Sequence, residues 1–228
     1  MNAALLVFAK VPEPGRVKTR LSPPLSPEQA ARLYDAFLRD ALDRYARWGR
    51  ETGVSIRLHL ATRPGAANAF ADVPAGVETL EQRGGGLGDR MMRAFVQAFA
   101  TGHDRAVVVG TDHPTLPLDF FGLALDAMAD PMTAVIGPSD DGGYYLLGLN
   151  DVAPAVFDMD YSHERVFDDT LEAALEVGLQ PVVLPSHYDV DDAAALDRLV
   201  QEWRAGADMG PRTARMLETL TETGSVLG

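Results

Sequence analysis

Residues 3–9 (AALLVFA) are a near-continuous apolar run that closes in Lys10, Pro12, Pro14 and Gly15. A run with no polar interruption, ended by turn formers, predicts a strand buried on both faces that opens into a loop. Ser26-Pro27-Glu28-Gln29 then supplies an N-cap serine, a proline at the first helical position and a glutamine placed for a capping box. Ala30, Leu33, Phe37, Leu38, Ala41, Leu42 and Tyr45 keep helical spacing, so this predicts a helix running to Gly49 with one apolar face. Strict alternation over Ser55–Ala61 predicts a second strand, and Val77–Leu80 a weaker third. Met91, Met92, Phe95, Val96 and Phe99 mark another helix, ended by Gly102, and Arg105–Gly110 is a short β-branched strand.

The alternation continues with helices over 118–128 and 164–177, one capped by Asp192 and running to Arg204, and one opened by Pro211 and reaching about Thr223. Strands are expected over 133–137, 143–148 and 181–184. Strands that alternate with helices predict a three-layer α/β/α sandwich around a mostly parallel, doubly wound, Rossmann-like sheet. With no internal repeat and no low-complexity linker, residues 1–228 read as one domain.

Charge and composition narrow the chemistry. The chain carries 20 Lys and Arg against 33 Asp and Glu, a formal net charge of -13, which argues against a nucleic-acid footprint. It has no Cys, so thiolate nucleophiles, disulfides and Cys-based metal sites are excluded and any metal must sit on oxygen or imidazole. No apolar run approaches the ~20 residues of a membrane span. The first ten residues carry no positive n-region, and the expected location is the cytoplasm.

In an open α/β sheet, ligands bind beyond the carboxyl ends of the strands, and four loops in those positions are chemically loaded. The first carries Lys10, Arg16, Lys18 and Arg20 against Glu13, and Lys10 and Lys18 are the only two lysines in the chain. With Gly15 permitting close backbone approach, this loop is a candidate phosphate site, and a loop cation there is expected to add little to folding stability. The second, Gly110-Thr111-Asp112-His113-Pro114, offers Asp112 as a hard oxygen ligand for Mg²⁺ or Mn²⁺, against an Asx-turn as the plain alternative. His113 beside it is a candidate ligand or acid-base group. The third, Asp140-Asp141-Gly142-Gly143-Tyr144-Tyr145, reads either as a ligand-lining turn that uses Asp141, Gly142, Gly143 and Tyr144 or as a hairpin turn. In the fourth, Asp189-Val190-Asp191-Asp192, the cap explains Asp192, and Asp189 and Asp191 remain as candidate metal ligands. Gly84–Gly88 could present bare amides to a nucleotide at a helix start, or serve as a connector.

FAKVPEPGRVKTRL, LGDRM at 87–91, GTDHPTLP, GPSDDGGYYLLGL and YDVDD, in this order over 5–199, together resemble a family of transferases with the GT-A, nucleotide-diphospho-sugar-transferase fold, some of whose members are labelled radical-SAM/selenodomain-associated. The resemblance implies a metal-assisted transfer from a nucleotide or nucleotide-sugar donor to a small-molecule acceptor. Lys18, Asp112 and Asp191 would then form the catalytic group, with Lys10, Gly15, Arg16, Arg20 and Gly88 on the nucleotide and Asp189 as the alternative metal ligand. Two departures stand out: the DxD signature is reduced to Thr111-Asp112-His113, and Asp160-Tyr161-Ser162-His163 lacks the tryptophan associated with that region. The PGRVKTRL loop is more similar to the phosphate loop of nucleotidyltransferases, so coupling of a nucleoside triphosphate to a phosphorylated or carboxylate molecule stays open. So does a non-catalytic nucleotide-binding role.

Overall fold

A computed structural model describes residues 2–62, 70, 72–161 and 163–226; Ser162 lies outside them. Seven strands, β1 (Ala3–Lys10), β2 (Ser55–Ala61), β3 (Val77–Glu81), β4 (Arg105–Val109), β5 (Thr133–Pro138), β6 (Tyr144–Leu149) and β7 (Gln180–Val183), form one sheet in the order β3-β2-β1-β4-β6-β5-β7. The helices are α1 (Pro27–Thr52), α2 (Leu87–Ala100), α3 (Asp119–Ala127), α4 (Val166–Glu176), α5 (Ala193–Arg204) and α6 (Pro211–Glu222). The predicted α/β class and mainly parallel sheet hold. One strand departs from them: β6 runs antiparallel to both of its neighbours, β4 and β5.

Side-chain alternation along the central strands builds the layers. Leu5 and Val7 of β1, with Val107 and Val109 of β4, pack under Leu38, Leu42 and Tyr45 of α1 and Phe121 of α3. Ala4, Leu6, Ala106 and Val108 face the other way, onto Met91, Ala94, Phe95 and Ala98 of α2 and Ala174 of α4. Strands buried on both faces need continuous apolar runs, which is why β1 and β4 were so legible. A third cluster packs Leu33 and Phe37 of α1 against Leu196 and Leu199 of α5 and Leu217 and Leu220 of α6.

The capping box at Ser26 forms as expected, with Gln29 N–H donating to the serine side chain and the Gln29 side chain accepting from the Ser26 N–H. The helix does not stop at Gly49, however. A Cβ there would lie 2.7 Å from the Val54 carbonyl oxygen and 2.8 Å from Ile56, so Gly49 is a packing glycine inside α1. The chain ends the helix at Gly53, whose φ of 76° is the left-handed C-cap. No helix among the described residues is long and apolar enough to cross a membrane.

His59 of β2 stacks on Phe8, with ring centroids 5.3 Å apart. Burial, with the charge of Arg57 beside it, pushes its pKa down to about 4. The unfolded chain therefore takes up this proton first as pH falls, so stability is lost between about 6.5 and 4, by on the order of 3 kcal/mol for one such group. His59→Gln is expected to reduce the acid slope of unfolding free energy in that window while leaving stability at pH 8 little changed; urea titrations at pH 8, 6 and 5 measure it.

Candidate functional site

Because β1, β4, β5 and β7 point the same way and β6 returns, the segments that leave β1, β4 and β7 and the turn joining β5 to β6 all emerge at one sheet edge. The chain runs outward from β1 through β2 to β3 and then crosses to β4 on the other flank of β1. That reversal makes the β1/β4 boundary the switch point, where an open sheet leaves a crevice. The loops carrying Lys18 and Asp112 flank it.

The first loop folds back through a turn in which the Arg16 N–H donates to the Glu13 carbonyl, followed by a 3₁₀ turn at Thr19–Leu21. Val17 and Leu21 are buried, and Lys18 between them adopts a left-handed backbone, φ 50°. Its side chain is only 2% exposed. The Nζ lies 2.6 Å from Asp191 Oδ1 and 2.9 Å from Asp112 Oδ1, and 5.9 Å from the centre of the Tyr34 ring. Asp189 and Asp191 flank Val190, which is buried and donates its N–H to the Asp112 carbonyl at 2.9 Å. The buried Val190 thus anchors the segment after β7 that carries both acids. Asp192 caps α5, accepting from the Ala195 N–H at 2.8 Å.

Burial is the largest single influence on Lys18 and lowers its pKa, but the facing Asp112 and Asp191 carboxylates outweigh it and hold the ammonium above its ordinary value. Burial likewise works to raise Asp191, yet Lys18 holds it below the usual carboxylate range. For Asp189 the charge of Lys18 is a smaller influence; burial and the charges of Asp191 and Asp141 push it up to about 7, and it accepts from Ser139 Oγ at 3.1 Å. The expectation that a loop cation here adds little to folding stability meets a different geometry: Lys18 is buried and paired with two carboxylates, and it ties together three loops.

Two of the clefts at this edge adjoin. The larger, about 400 Å³, is lined by Phe8, Ala9 and Lys10 of β1, Lys18, Tyr34, Ala61, Gln82, Leu87, Arg90, Asp112 and Asp191. The second, about 250 Å³, is lined by Asp112, His113, Ser139, Asp141, Gly143, Tyr144, Tyr161, His163 and Asp189, among others. Asp112 and Leu87 belong to both walls.

The other residues singled out in the sequence divide. Arg16 pairs with Glu13 at 3.4 Å and lines a separate cavity of about 270 Å³ with Lys10 and Val11. Gly15 and Arg20 are exposed and line neither cleft, although the charge of Arg20 adds to the pull that keeps Asp191 ionised. Gly88 is buried in α2, where a Cβ would meet the Phe157 carbonyl oxygen at 2.2 Å, so close packing accounts for it. The Asp140–Tyr145 segment is the hairpin turn joining β5 to β6, and its Asp141, Gly143 and Tyr144 also line the smaller cleft. Within it Asp141 Oδ1 accepts from the Gly143 N–H, and Gly142, φ 88°, admits the Glu164 backbone where a Cβ would clash. His113 is buried with Nδ1 2.9 Å from the Tyr188 carbonyl oxygen, and burial lowers its pKa, so it stands as a neutral wall residue.

Gln82, Arg90, Tyr34, Ser139 and Tyr161 were missed as cleft residues. Leu87 and Arg90 lie in the LGDRM motif, in which the sequence points to Gly88 rather than to them. For Gln82 and Tyr34 no local signal exists, because β3 and α1 bring them to the cleft only through packing.

Residues 46–163 match a family model described as an uncharacterized protein conserved in bacteria, DUF2064. The chain belongs to the DUF2064 family. No curated protein matches it. The crystal structure of a candidate nucleotide-diphospho-sugar transferase from Desulfovibrio desulfuricans G20 is 30% identical over 100% of both chains, with a TM-score of 0.88. A cytidylyltransferase from Leptospira borgpetersenii serovar Hardjo-bovis shares the fold at 12% identity and a TM-score of 0.54, over 99% of this chain and 96% of that one. So does a 4-diphosphocytidyl-2C-methyl-D-erythritol synthase from Anaerococcus prevotii DSM 20548, at 7% identity and 0.51 over 97% of each.

In this DUF2064 protein, Lys18→Met leaves Asp112 and Asp191 facing each other uncompensated. Because both carboxylates are more than a third exposed, the expected cost is roughly 1–3 kcal/mol rather than the larger loss of a fully buried pair. The Tm is expected to fall by several degrees, and adding Asp191→Asn to recover part of it. A Lys18→Met Tm equal to wild type in calorimetry would show that the ion pair does not hold the loops together.

Proposed function

We propose that the chain is a transferase that takes a nucleotide-activated donor in the cleft of Lys10, Lys18 and Arg90 and passes the activated group to a small molecule in the cleft of Asp141 and Tyr144. The observation that carries this reading is the shared wall: two cavities at the switch point of the sheet meet at one carboxylate, Asp112. A transferase needs donor and acceptor side by side with the reacting atoms at the junction. The relative at 30% identity, itself a candidate nucleotide-diphospho-sugar transferase, points the same way.

Cationic side chains gathered in a chain of net charge -13 are what a polyphosphate requires to enter. Lys10 and Arg90 face the larger cleft and are placed to pair with phosphate oxygens. Lys18, already on its carboxylates, fixes Asp112 and Asp191 in place. No nucleophile on the protein is needed; positioning and charge neutralisation carry the transfer.

Mg²⁺ or Mn²⁺ fits the donor set of this edge. The described residues hold no group of three or more His, Cys, Asp or Glu suited to a closed metal site, but such cations usually take one or two carboxylates and complete their shell with water and phosphate. Asp112 Oδ1 is buried without a hydrogen bond of good geometry while the side chain is 36% exposed, so its other oxygen faces the cleft; Asp191 is 44% exposed. These two residues would hold the ion, and Asp189, tied to Ser139, is the less free. When bound, the ion supplies neutralisation of the charge that builds on the departing nucleotide.

The acceptor cleft has three carboxylates, Asp112, Asp141 and Asp189, and neither lysine nor arginine. That lining offers no lysine or arginine to a phosphorylated or carboxylate acceptor and suits a neutral polyol or an amine. It favours glycosyl-type transfer over coupling of a nucleoside triphosphate to an anionic molecule.

Nucleoside triphosphates and nucleotide sugars with Mg²⁺ are expected to raise the Tm of the wild-type protein by mass action. Asp112→Asn is expected to abolish the Mg²⁺-dependent part of that rise and to lower turnover about 10²-fold or more, as loss of a central charged group does. A panel in which no nucleotide shifts the Tm would remove the proposal. With a bound donor in hand, product analysis by mass spectrometry is expected to find transfer to neutral or amino acceptors and little to their phosphorylated counterparts; the reverse preference would point to nucleotidyl transfer.

A further inference from the structure

Phe8, His59 and Leu80 are register partners on β1, β2 and β3, so their side chains stand in a row on the face of the sheet that α2 covers. A cavity of about 490 Å³ opens between that flank and the helix. His59 and Leu80 line it from the sheet, Met92, Ala94 and Val96 give it apolar surface from α2, and Arg83, Arg90 and Arg93 bring three guanidiniums to it. One acid, Glu81, stands against them among the lining residues, and its carboxylate accepts from Thr62 Oγ1 at 2.8 Å. In a chain of net charge -13 this is a local reversal of sign.

The three arginines are engaged differently. Arg93 Nε donates to Asp89 at 2.8 Å, an exposed pair on the helix surface, and Arg90 Nε donates to the Gly84 carbonyl at 3.3 Å. Arg83 has no hydrogen bond or ion pair among the described residues. Exposed arginines are by themselves only a solvated surface. What distinguishes this place is the cavity and the imidazole in its wall. His59 is 2% exposed, and its Nε2 is buried with no hydrogen-bond partner among the described residues. Buried polar atoms are ordinarily paired, so an unpaired ring nitrogen beside a cavity is a group whose partner a bound ligand can supply.

We propose that this cavity binds a small amphipathic oxyanion, a carboxylate or phosphate carried on an apolar body, at a site outside the two clefts of the transfer reading. Guanidinium is a planar fork that meets two carboxylate or phosphate oxygens at once, and here every lining cation is arginine, while both lysines of the chain line the other cleft. Leu80, Met92 and Val96 suit the apolar body; Val96 is 48% exposed on a helix whose other apolar side chains are largely covered. A few convergent polar groups on an otherwise apolar wall are the make-up of a small-molecule site. Arg90 lines this cavity and the cleft of Lys10 and Lys18 alike, whereas neither Asp112 nor Asp191 is among its lining residues. On the transfer reading above, the occupant is a neighbour of the donor and not a reacting group. Its binding does not depend on that reading.

The test is titration of the ¹⁵N-labelled full chain with phenyl phosphate, benzoate, inorganic phosphate and benzyl alcohol, read as amide shifts. Phenyl phosphate or benzoate is expected to give saturable shifts at Leu80, Val96 and Gln97. The tighter of the two is expected to exceed both inorganic phosphate, which lacks the apolar body, and benzyl alcohol, which lacks the charge, by about tenfold. Arg83→Ala, which removes a side chain without partners, is expected to weaken that probe about fivefold or more, the weight of one charge-assisted contact at a partly open site. If Arg83→Ala loses its dispersed spectrum, Val96→Glu on the exposed face of α2 sets an acid in the wall and is expected to give the same loss. Absence of saturable shifts at these residues with either probe would overturn the proposal, as would unchanged affinity in a folded variant or benzyl alcohol binding as tightly as benzoate. Shifts confined to Ala9 and Lys10 would also overturn it, since the anion would then enter the donor cleft alone.

Discussion

One buried ammonium organises the carboxyl edge of this sheet. Lys18 reaches Asp112 on the loop after β4 and Asp191 on the segment after β7, so three stretches far apart in the chain meet at a single charge. A carboxylate pair this close would repel, and the loops bearing it would part; the cation converts the repulsion into cohesion. The Val190 N–H on the Asp112 carbonyl adds an apolar, hydrogen-bonded anchor beneath the ionic one. The arrangement leaves outward-facing carboxylate oxygens at the boundary of two clefts, which is where a transfer reaction would need them.

The same edge separates charge. On one side of Asp112 lie Lys10, Lys18 and Arg90 with one further acid, Asp191, and on the other Asp141 and Asp189 with neither lysine nor arginine among the described cleft-lining residues. A strongly acidic chain has thus brought its two lysines to one cleft and left the neighbouring one without lysine or arginine among its described lining residues. On the proposed reading, long-range repulsion of a phosphorylated ligand would be overcome locally, within about a Debye length of the cluster.

The layers were written locally. Continuous apolar runs gave β1 and β4 because strands covered on both faces need them, and the Ser26–Gln29 capping box gave the start of α1 because its partners are three residues apart. Errors fell where a residue's reason is tertiary. Gly49 reads as a helix stop but is a contact point for Val54 and Ile56, and Gly88 reads as a phosphate-approach glycine but packs on Phe157. The direction of β6 was equally invisible, since apolar spacing is the same whichever way a strand runs.

By itself the sequence determined the α/β class and the positions of the strands and helices, and it singled out four loops of concentrated charge and glycine, because periodicity, caps and turn residues act over a few positions. Only the tertiary structure decided that Lys18 is paired rather than free, that Asp112 is shared by two clefts, and that Gln82 and Arg90 belong to one of them. Those facts depend on the order in which strands lie side by side. Strand order is set by long-range packing, and no short stretch of residues records it.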